Sequence, residues 1–234
     1  MGKLFDRITK DVRYKEGLKS CMNCGVCTAI CPAAEFYDYD PRMVITIVQS
    51  EDDDQIEELL RGDMIWYCGQ CMSCKTRCPR GNCPGLIINV LRKVSQESGY
   101  FTDSKMGRQQ YAIMRTVGEN ILKYGYCVHP EALKPDLHPE QGPVWEWIFN
   151  NREEVYARLN ANLDKDGPGT LRKIPDETMK EIHSIFNVTG GTKFYQLIDE
   201  YSRKKVKEMG FDSDTKNMDK YFLYVYKDNT VDNS

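Results

Sequence analysis

Cys21-Met22-Asn23-Cys24-Gly25-Val26-Cys27-Thr28-Ala29-Ile30-Cys31-Pro32 is answered further along the chain by Cys68-Gly69-Gln70-Cys71-Met72-Ser73-Cys74-Lys75-Thr76-Arg77-Cys78-Pro79. Each stretch sets three cysteines at steps of three residues, a fourth four residues later, and a proline directly after it. Three thiolates at that step can wrap a tight loop around three corners of a cube. Small intervening residues such as Asn23, Gly25, Gly69 and Ser73 let backbone N–H groups turn toward the sulfurs. Proline has no N–H and disfavours the α region just before it, so the chain leaves the fourth cysteine in a set direction.

This is the spacing of the bacterial ferredoxin run, which binds cubane iron–sulfur clusters and lends its fourth cysteine to the cluster of the other run. Carried onto this chain, the crossover predicts two 4Fe–4S clusters. One would take Cys21, Cys24, Cys27 and Cys78; the other Cys68, Cys71, Cys74 and Cys31. A zinc-stabilised interaction scaffold is the rival use of such thiols, but zinc sites favour paired C-x-x-C hooks separated by a longer loop. With eight positions filled, Cys83 and Cys127 read as small packing side chains, since free cysteine is among the most buried residue types.

The remaining composition narrows the function. The chain has 234 residues, 32 Lys+Arg against 35 Asp+Glu, a formal charge of −3, 41% hydrophobic residues and 10 cysteines. A near-balanced charge argues against nucleic acid, whose binders carry a strongly basic face. No stretch approaches the roughly 20 apolar residues of a membrane span. Met1 to Asp6 lacks the apolar core of an export signal, and Asp6 stands where a myristoylation signal needs Ser or Thr. The expectation is a cytoplasmic protein whose clustered thiols are metal ligands rather than disulfides.

Between the runs, Gln55–Gly62 reads as a short helix with Asp52, Asp53 and Asp54 at its start and Ile56, Leu59 and Leu60 on one face. Met43–Val48 fits a strand by composition and a helix by spacing. After the second run Pro84-Gly85 opens a helix with Leu86, Ile87, Val90, Leu91 and Val94 inward, ended by Gly99.

The region from about Tyr14 to Tyr100 resembles the all-helical ferredoxin domain that carries two 4Fe–4S clusters. More narrowly it is similar to the small iron–sulfur C-subunit of heterodisulfide reductase and its homologues in sulfur-oxidising bacteria. The residues that carry the likeness are both cysteine runs, Trp66-Tyr67 ahead of the second, and Leu91-Arg92 in the following helix. The resemblance implies a mainly α protein with a helical di-cluster ferredoxin domain over 1–100; residues 101–234 depart from it and read as a helical extension, expected to dock a partner. It implies an electron-transfer subunit working between a flavin-containing subunit and a catalytic, cysteine-rich subunit in sulfur or disulfide metabolism, with a lipoate-binding protein reached through the complex. The methanogen subunit is expected to be little more than the cluster domain, so the extension points to the version found in the sulfur-oxidising heterodisulfide reductase-like complex. The iron–sulfur subunit of a succinate or fumarate enzyme is a rival, but it needs an N-terminal 2Fe–2S domain that the residues before Cys21 cannot supply.

The extension reads as helices over Lys105–Tyr124, Val144–Leu163, Asp176–Phe186 and Lys193–Met209, the last capped by Thr192, with a β-prone tail at Tyr221–Tyr226 that should dock on a partner or on this chain. His129, His138 and His183 are scattered and read as proline-loop or surface residues. Trp145, Trp147, Ile148 and Phe149 read as packing. No nucleophilic triad and no dinucleotide glycine fingerprint stands out, so no catalytic residue is assigned. Finally, Lys75, Arg77 and Arg80 stud the second run while the first has no basic residue between Cys21 and Cys31. Positive charge favours the reduced form of an anionic cluster, so the Cys68-Cys71-Cys74 centre is expected to have the higher potential.

Overall fold

The computed structural model describes residues 3–227; Met1 and Gly2, which bear on the reading of the N-terminus, lie outside them. Every regular element among the described residues is helical. Two compact units divide the chain at Arg108.

The first unit is organised by the helix Pro84–Ser98. Proline at its first turn costs no hydrogen bond, and Gly99 closes it at φ 79, a left-handed value that glycine takes without strain. Ile87, Ile88, Val90, Leu91 and Val94 are buried along it, each contributing about 1.5–3 kcal/mol by leaving water. Around it pack the helices Val12–Gly17, Pro41–Gln49 and Asp53–Arg61. Gly17 is the contact point of the first: a Cβ there would stand 2.9 Å from both Leu86 Cβ and Ile87 Cδ1. Only glycine allows that approach.

The ambiguous Met43–Val48 stretch lies within the helix Pro41–Gln49. Asp40 decides it, because its carboxylate accepts the Arg42 and Met43 N–H groups at 2.8 and 3.2 Å and Pro41 occupies the first turn. Val44, Ile45 and Val48 then face the core together. The acidic stretch has a similar use: Asp52 caps Asp53–Arg61, and Asp53 Oδ1 accepts the Phe5 N–H at 3.0 Å.

In the second unit the stretch expected over Lys105–Tyr124 begins later, at Gln109. It runs as Gln109–Ile113, a π turn at Met114–Gly118, and Glu119–Tyr124, closed by Gly125 at φ 78. Tyr195 explains why Gly118 is glycine, since a Cβ there would stand 2.6 Å from the phenol carbon Cζ. The helix expected over Val144–Leu163 is two, Gly142–Asn150 and Arg152–Arg158, followed by irregular chain with left-handed Asn160, Asn162 and Asp164. Asp176–Val188 and Gly191–Glu208 follow. Gly190 precedes the latter at φ 81, and Thr192 does not cap it; its hydroxyl bonds to Asn187 Oδ1 instead.

The β-prone reading of Tyr221–Tyr226 is corrected: these residues are helical, within Thr215–Lys227. Met218, Tyr221, Phe222 and Val225 are buried at steps of three and four, the period of a helix face. Composition suggests a strand, and spacing decides otherwise. The tail does dock on its own chain, against Gln109–Ile113 and Gly191–Glu208. His129 and His138 are 0% and 3% exposed and so are not surface residues; His129 stacks on Tyr124 with ring centres 3.9 Å apart. His183 is exposed. The tryptophan-rich helix Gly142–Asn150 has no fully buried residue, and Trp147 is 59% exposed.

Candidate metal centre

Both cysteine runs fold the same way, in loops that lead into short helices. In the first, Asn23 and Gly25 have φ 57 and 79; in the second, Gln70 and Met72 have φ 55 and 59. The left-handed residues sit at matching positions, two and four after the leading cysteine. Alternating hands of this kind turn successive N–H groups toward one side, a concave surface suited to anions. The Asn23 N–H points at Cys21 Sγ and the Gln70 N–H at Cys68 Sγ, each at 3.4 Å. Gly69 and Ser73, the small residues expected to permit the turn in the second run, do not take that conformation. Met72 does, at some steric cost, and its thioether is held 3.5 Å from Cys83 Sγ.

The helices that follow, Val26–Ala29 and Ser73–Arg77, pack against each other and bring the runs side by side. Each run then exchanges its last cysteine. One cavity is lined by Cys21, Cys24, Cys27 and Cys78, with Arg42 and Arg80 at its wall. The other is lined by Cys31, Cys68, Cys71 and Cys74, with Tyr37, Tyr39 and Tyr67. These are the two crossed sets.

Specific contacts hold the crossover. Asn82 Oδ1 accepts the Lys19 N–H at 2.7 Å, and the Cys83 N–H donates to the Gly17 carbonyl at 2.7 Å. The segment after Cys78 is thereby clasped to the segment before Cys21. On the other side, the half-buried Arg92 reaches from Pro84–Ser98 and donates to the carbonyls of Ile65, Trp66 and Cys68 at 2.8, 2.9 and 2.7 Å. Burial lowers its pKa, and the Cys68 thiol beside it acts the other way. Pro32 opens a short 3₁₀ turn that carries the chain from Cys31 toward Tyr39 and Asp40.

The cavities differ. The Cys68 site holds about 350 Å³ of open space, the Cys21 site about 20 Å³. Cys24 and Cys71 are exposed and the other six half-buried. Burial pushes Cys74 up to about 12 and raises Cys27, whereas the Ser73 hydroxyl, 3.4 Å away, lowers Cys71. Metal binding at such thiols displaces their protons. Among the described residues no three Cys, His, Asp or Glu side chains are grouped to hold a single ion. Four thiols at each cavity, with an N–H aimed at the leading sulfur of each run, suit a cube bearing negative charge.

Three site features lie beyond the sequence reading. Sequence order groups Arg80 with the second run, yet it lines the cavity of the first, and Lys75 and Arg77 are exposed to solvent. One of the three basic residues expected to favour the Cys68 centre therefore stands at the other site. Arg42 and Tyr39, both in the insert, also line the sites. Cys83 is fully buried, as expected of a packing residue, whereas Cys127 is exposed.

A helical unit carrying two ferredoxin-type cysteine runs defines an iron–sulfur protein of the 4Fe–4S class, and residues 17–82 match the family described as a 4Fe-4S dicluster domain. The chain is 30% identical over 209 residues to the C-subunit of the ferredoxin:CoB-CoM heterodisulfide reductase of Methanosarcina acetivorans, covering 88% of this chain and 75% of that one. It is 37% identical over 145 residues to an iron-sulfur C-subunit of the CoB--CoM heterodisulfide reductase of Methanocaldococcus jannaschii, 60% of this chain and 71% of the relative. Against the C-subunit of the H(2):CoB-CoM heterodisulfide,ferredoxin reductase of Methanothermobacter marburgensis it is 25% identical over 183 residues, 78% and 79% of the two chains. The chain belongs to the family of heterodisulfide reductase C-subunits and is an iron–sulfur electron-transfer subunit.

One expectation is corrected by the same relatives. A match over 88% of the chain reaches well into the second unit. Methanogen relatives therefore share sequence beyond the cluster domain, and the extension does not mark this chain as the sulfur-oxidising version. No helix among the described residues is long and apolar enough to cross a membrane.

Proposed function

We propose that this chain relays electrons within a cytoplasmic heterodisulfide reductase complex, holding two 4Fe–4S clusters. Cys21, Cys24, Cys27 and Cys78 hold one, and Cys68, Cys71, Cys74 and Cys31 the other. The observation that carries the reading is the gathering of the crossed cysteines around two separate cavities. Clusters of this kind supply one-electron carriage. The chain's own residues do the rest: Arg92 and Asn82 brace the loops, and the Asn23 and Gln70 N–H groups direct partial positive charge at the leading sulfurs.

The partners are a flavin-containing subunit and a cysteine-rich catalytic subunit, with a lipoate-binding protein a further candidate through the complex. The relatives' names make a heterodisulfide the best-supported terminal substrate and ferredoxin a candidate redox partner. The second unit supplies the docking surface. Its helices Gly142–Asn150 and Asp176–Val188 have no fully buried residue, and Val144, Trp147, Ile185 and Val188 are more than half exposed. Exposed apolar side chains of this kind favour protein contacts.

Oxygen-free purification tests the cofactor reading. About eight irons and eight labile sulfides per chain are expected for two cubes; about two zinc ions and a colourless protein would indicate the scaffold instead. Anaerobic pull-down should recover the flavin-containing and cysteine-rich subunits, and a lone monomer with no redox partner would count against the relay.

A further inference from the structure

Tyr39 sits in the wall of the cavity lined by Cys31, Cys68, Cys71 and Cys74. Its side chain is 4% exposed, and its hydroxyl is buried with no hydrogen-bond partner. Such orphans are rare, because a buried hydroxyl that has given up water needs an acceptor. The ring cannot easily swing away to find one. Tyr67 meets it edge-on, with ring centres 6.5 Å apart at 76°, and the Tyr39 N–H is tied to the Tyr37 carbonyl at 2.8 Å. Cys31, Cys68, Cys71 and Cys74, all four thiols of this one site, share the cavity wall with Tyr39. The carbonyls of Ile65, Trp66 and Cys68 already accept from Arg92. Among the polar side chains of the wall it lines, thiols are the most numerous.

We propose that the Tyr39 hydroxyl donates a hydrogen bond to a thiolate sulfur of the cluster held by Cys68, Cys71, Cys74 and Cys31 and thereby raises that cluster's reduction potential. This rests on the two-cluster reading above. Tyrosine is a protonated donor at neutral pH, and a donor on a thiolate withdraws charge from the cluster, favouring its more negative, reduced form. The other cavity has no tyrosine in its wall, so the effect belongs to one site.

The test is a redox titration of the full chain followed by EPR, comparing the unaltered protein with Tyr39→Phe and Tyr37→Phe. The signal that Cys71→Ser alters is assigned to the Cys68 site. Tyr39→Phe keeps the ring and removes only the donor, so iron content should be unchanged. The midpoint of the assigned cluster should fall by about tenfold in its reduction equilibrium, which is about 59 mV for a one-electron couple. The other midpoint should stay, and Tyr37→Phe, at the more exposed tyrosine of the same wall, should move neither. An unmoved midpoint, an equal fall at both clusters, or loss of iron from the Cys68 site would each overturn the assignment, the last by making Tyr39 a packing residue. Absence of any cluster signal from the unaltered protein would sink the two-cluster reading itself, a failure distinct from an unmoved midpoint in a protein that holds both.

Discussion

Asn82 accepts the backbone N–H of Lys19 at 2.7 Å, and this bond across the sequence stands at the point where the two cysteine runs exchange ligands. Asn82 is 3% exposed, so its amide is held away from water, whereas Lys19 is exposed. Asn82→Ala should destabilise the first unit by about 1 kcal/mol, the net worth of one hydrogen bond. The site sharing Cys78 should lose iron first. Denaturant titration and time-resolved iron release, read against Asn82→Asp, check both statements.

Arg92 braces the other side. Its three bonds to the carbonyls of Ile65, Trp66 and Cys68 fix the entry to the second run with one side chain. A planar guanidinium can serve three carbonyls at once, whereas an ammonium cannot hold the same fork. Arg92→Lys should therefore fail to rescue, and Arg92→Leu should cost about 3 kcal/mol or more. Loss of the Cys68 cluster ahead of the Cys21 cluster, followed by EPR during denaturation, is the expected signature.

Arg80 lies two residues after Cys78 and lines the site of Cys21, Cys24, Cys27 and Cys78. Its charge is exposed, so solvent and salt screen it. Arg80→Gln should lower the midpoint of that cluster modestly, leave the other in place, and have less effect as ionic strength rises. A shift confined to the Cys68 cluster would restore the grouping suggested by sequence order.

Asp11 caps the helix Val12–Gly17, the element that meets Pro84–Ser98. Hydrogen bonds from Arg13, assisted by Lys93, hold its carboxyl well below the usual carboxylate range. A depressed folded pKa means that its stabilisation is present above the unfolded value near 4 and is lost as pH falls through the folded value. Asp11→Asn should lower stability at neutral pH and flatten the acid limb of a melting-temperature profile between about pH 5 and pH 2.

The cysteine spacing suffices, by itself, to single out the eight cysteines that line the two cavities and their likeness to the ferredoxin run, because a cube's corners impose a short-range constraint that spacing records directly. The helix Pro84–Ser98 is legible for a similar reason: proline at one end, glycine at the other, and an apolar face of regular period between them. Tyr221–Tyr226 misleads because aromatic and β-branched composition outweighs the i, i+3, i+4 spacing of Met218, Tyr221, Phe222 and Val225. What surrounds each cluster site is decided only in three dimensions. Arg80 serves the opposite run, Arg42 and Tyr39 arrive from the insert, and Arg92 reaches back to three carbonyls, because side chains distant in sequence become neighbours only after the helices pack. Ligand identity is local chemistry; the environment that sets a cluster's potential is a product of packing.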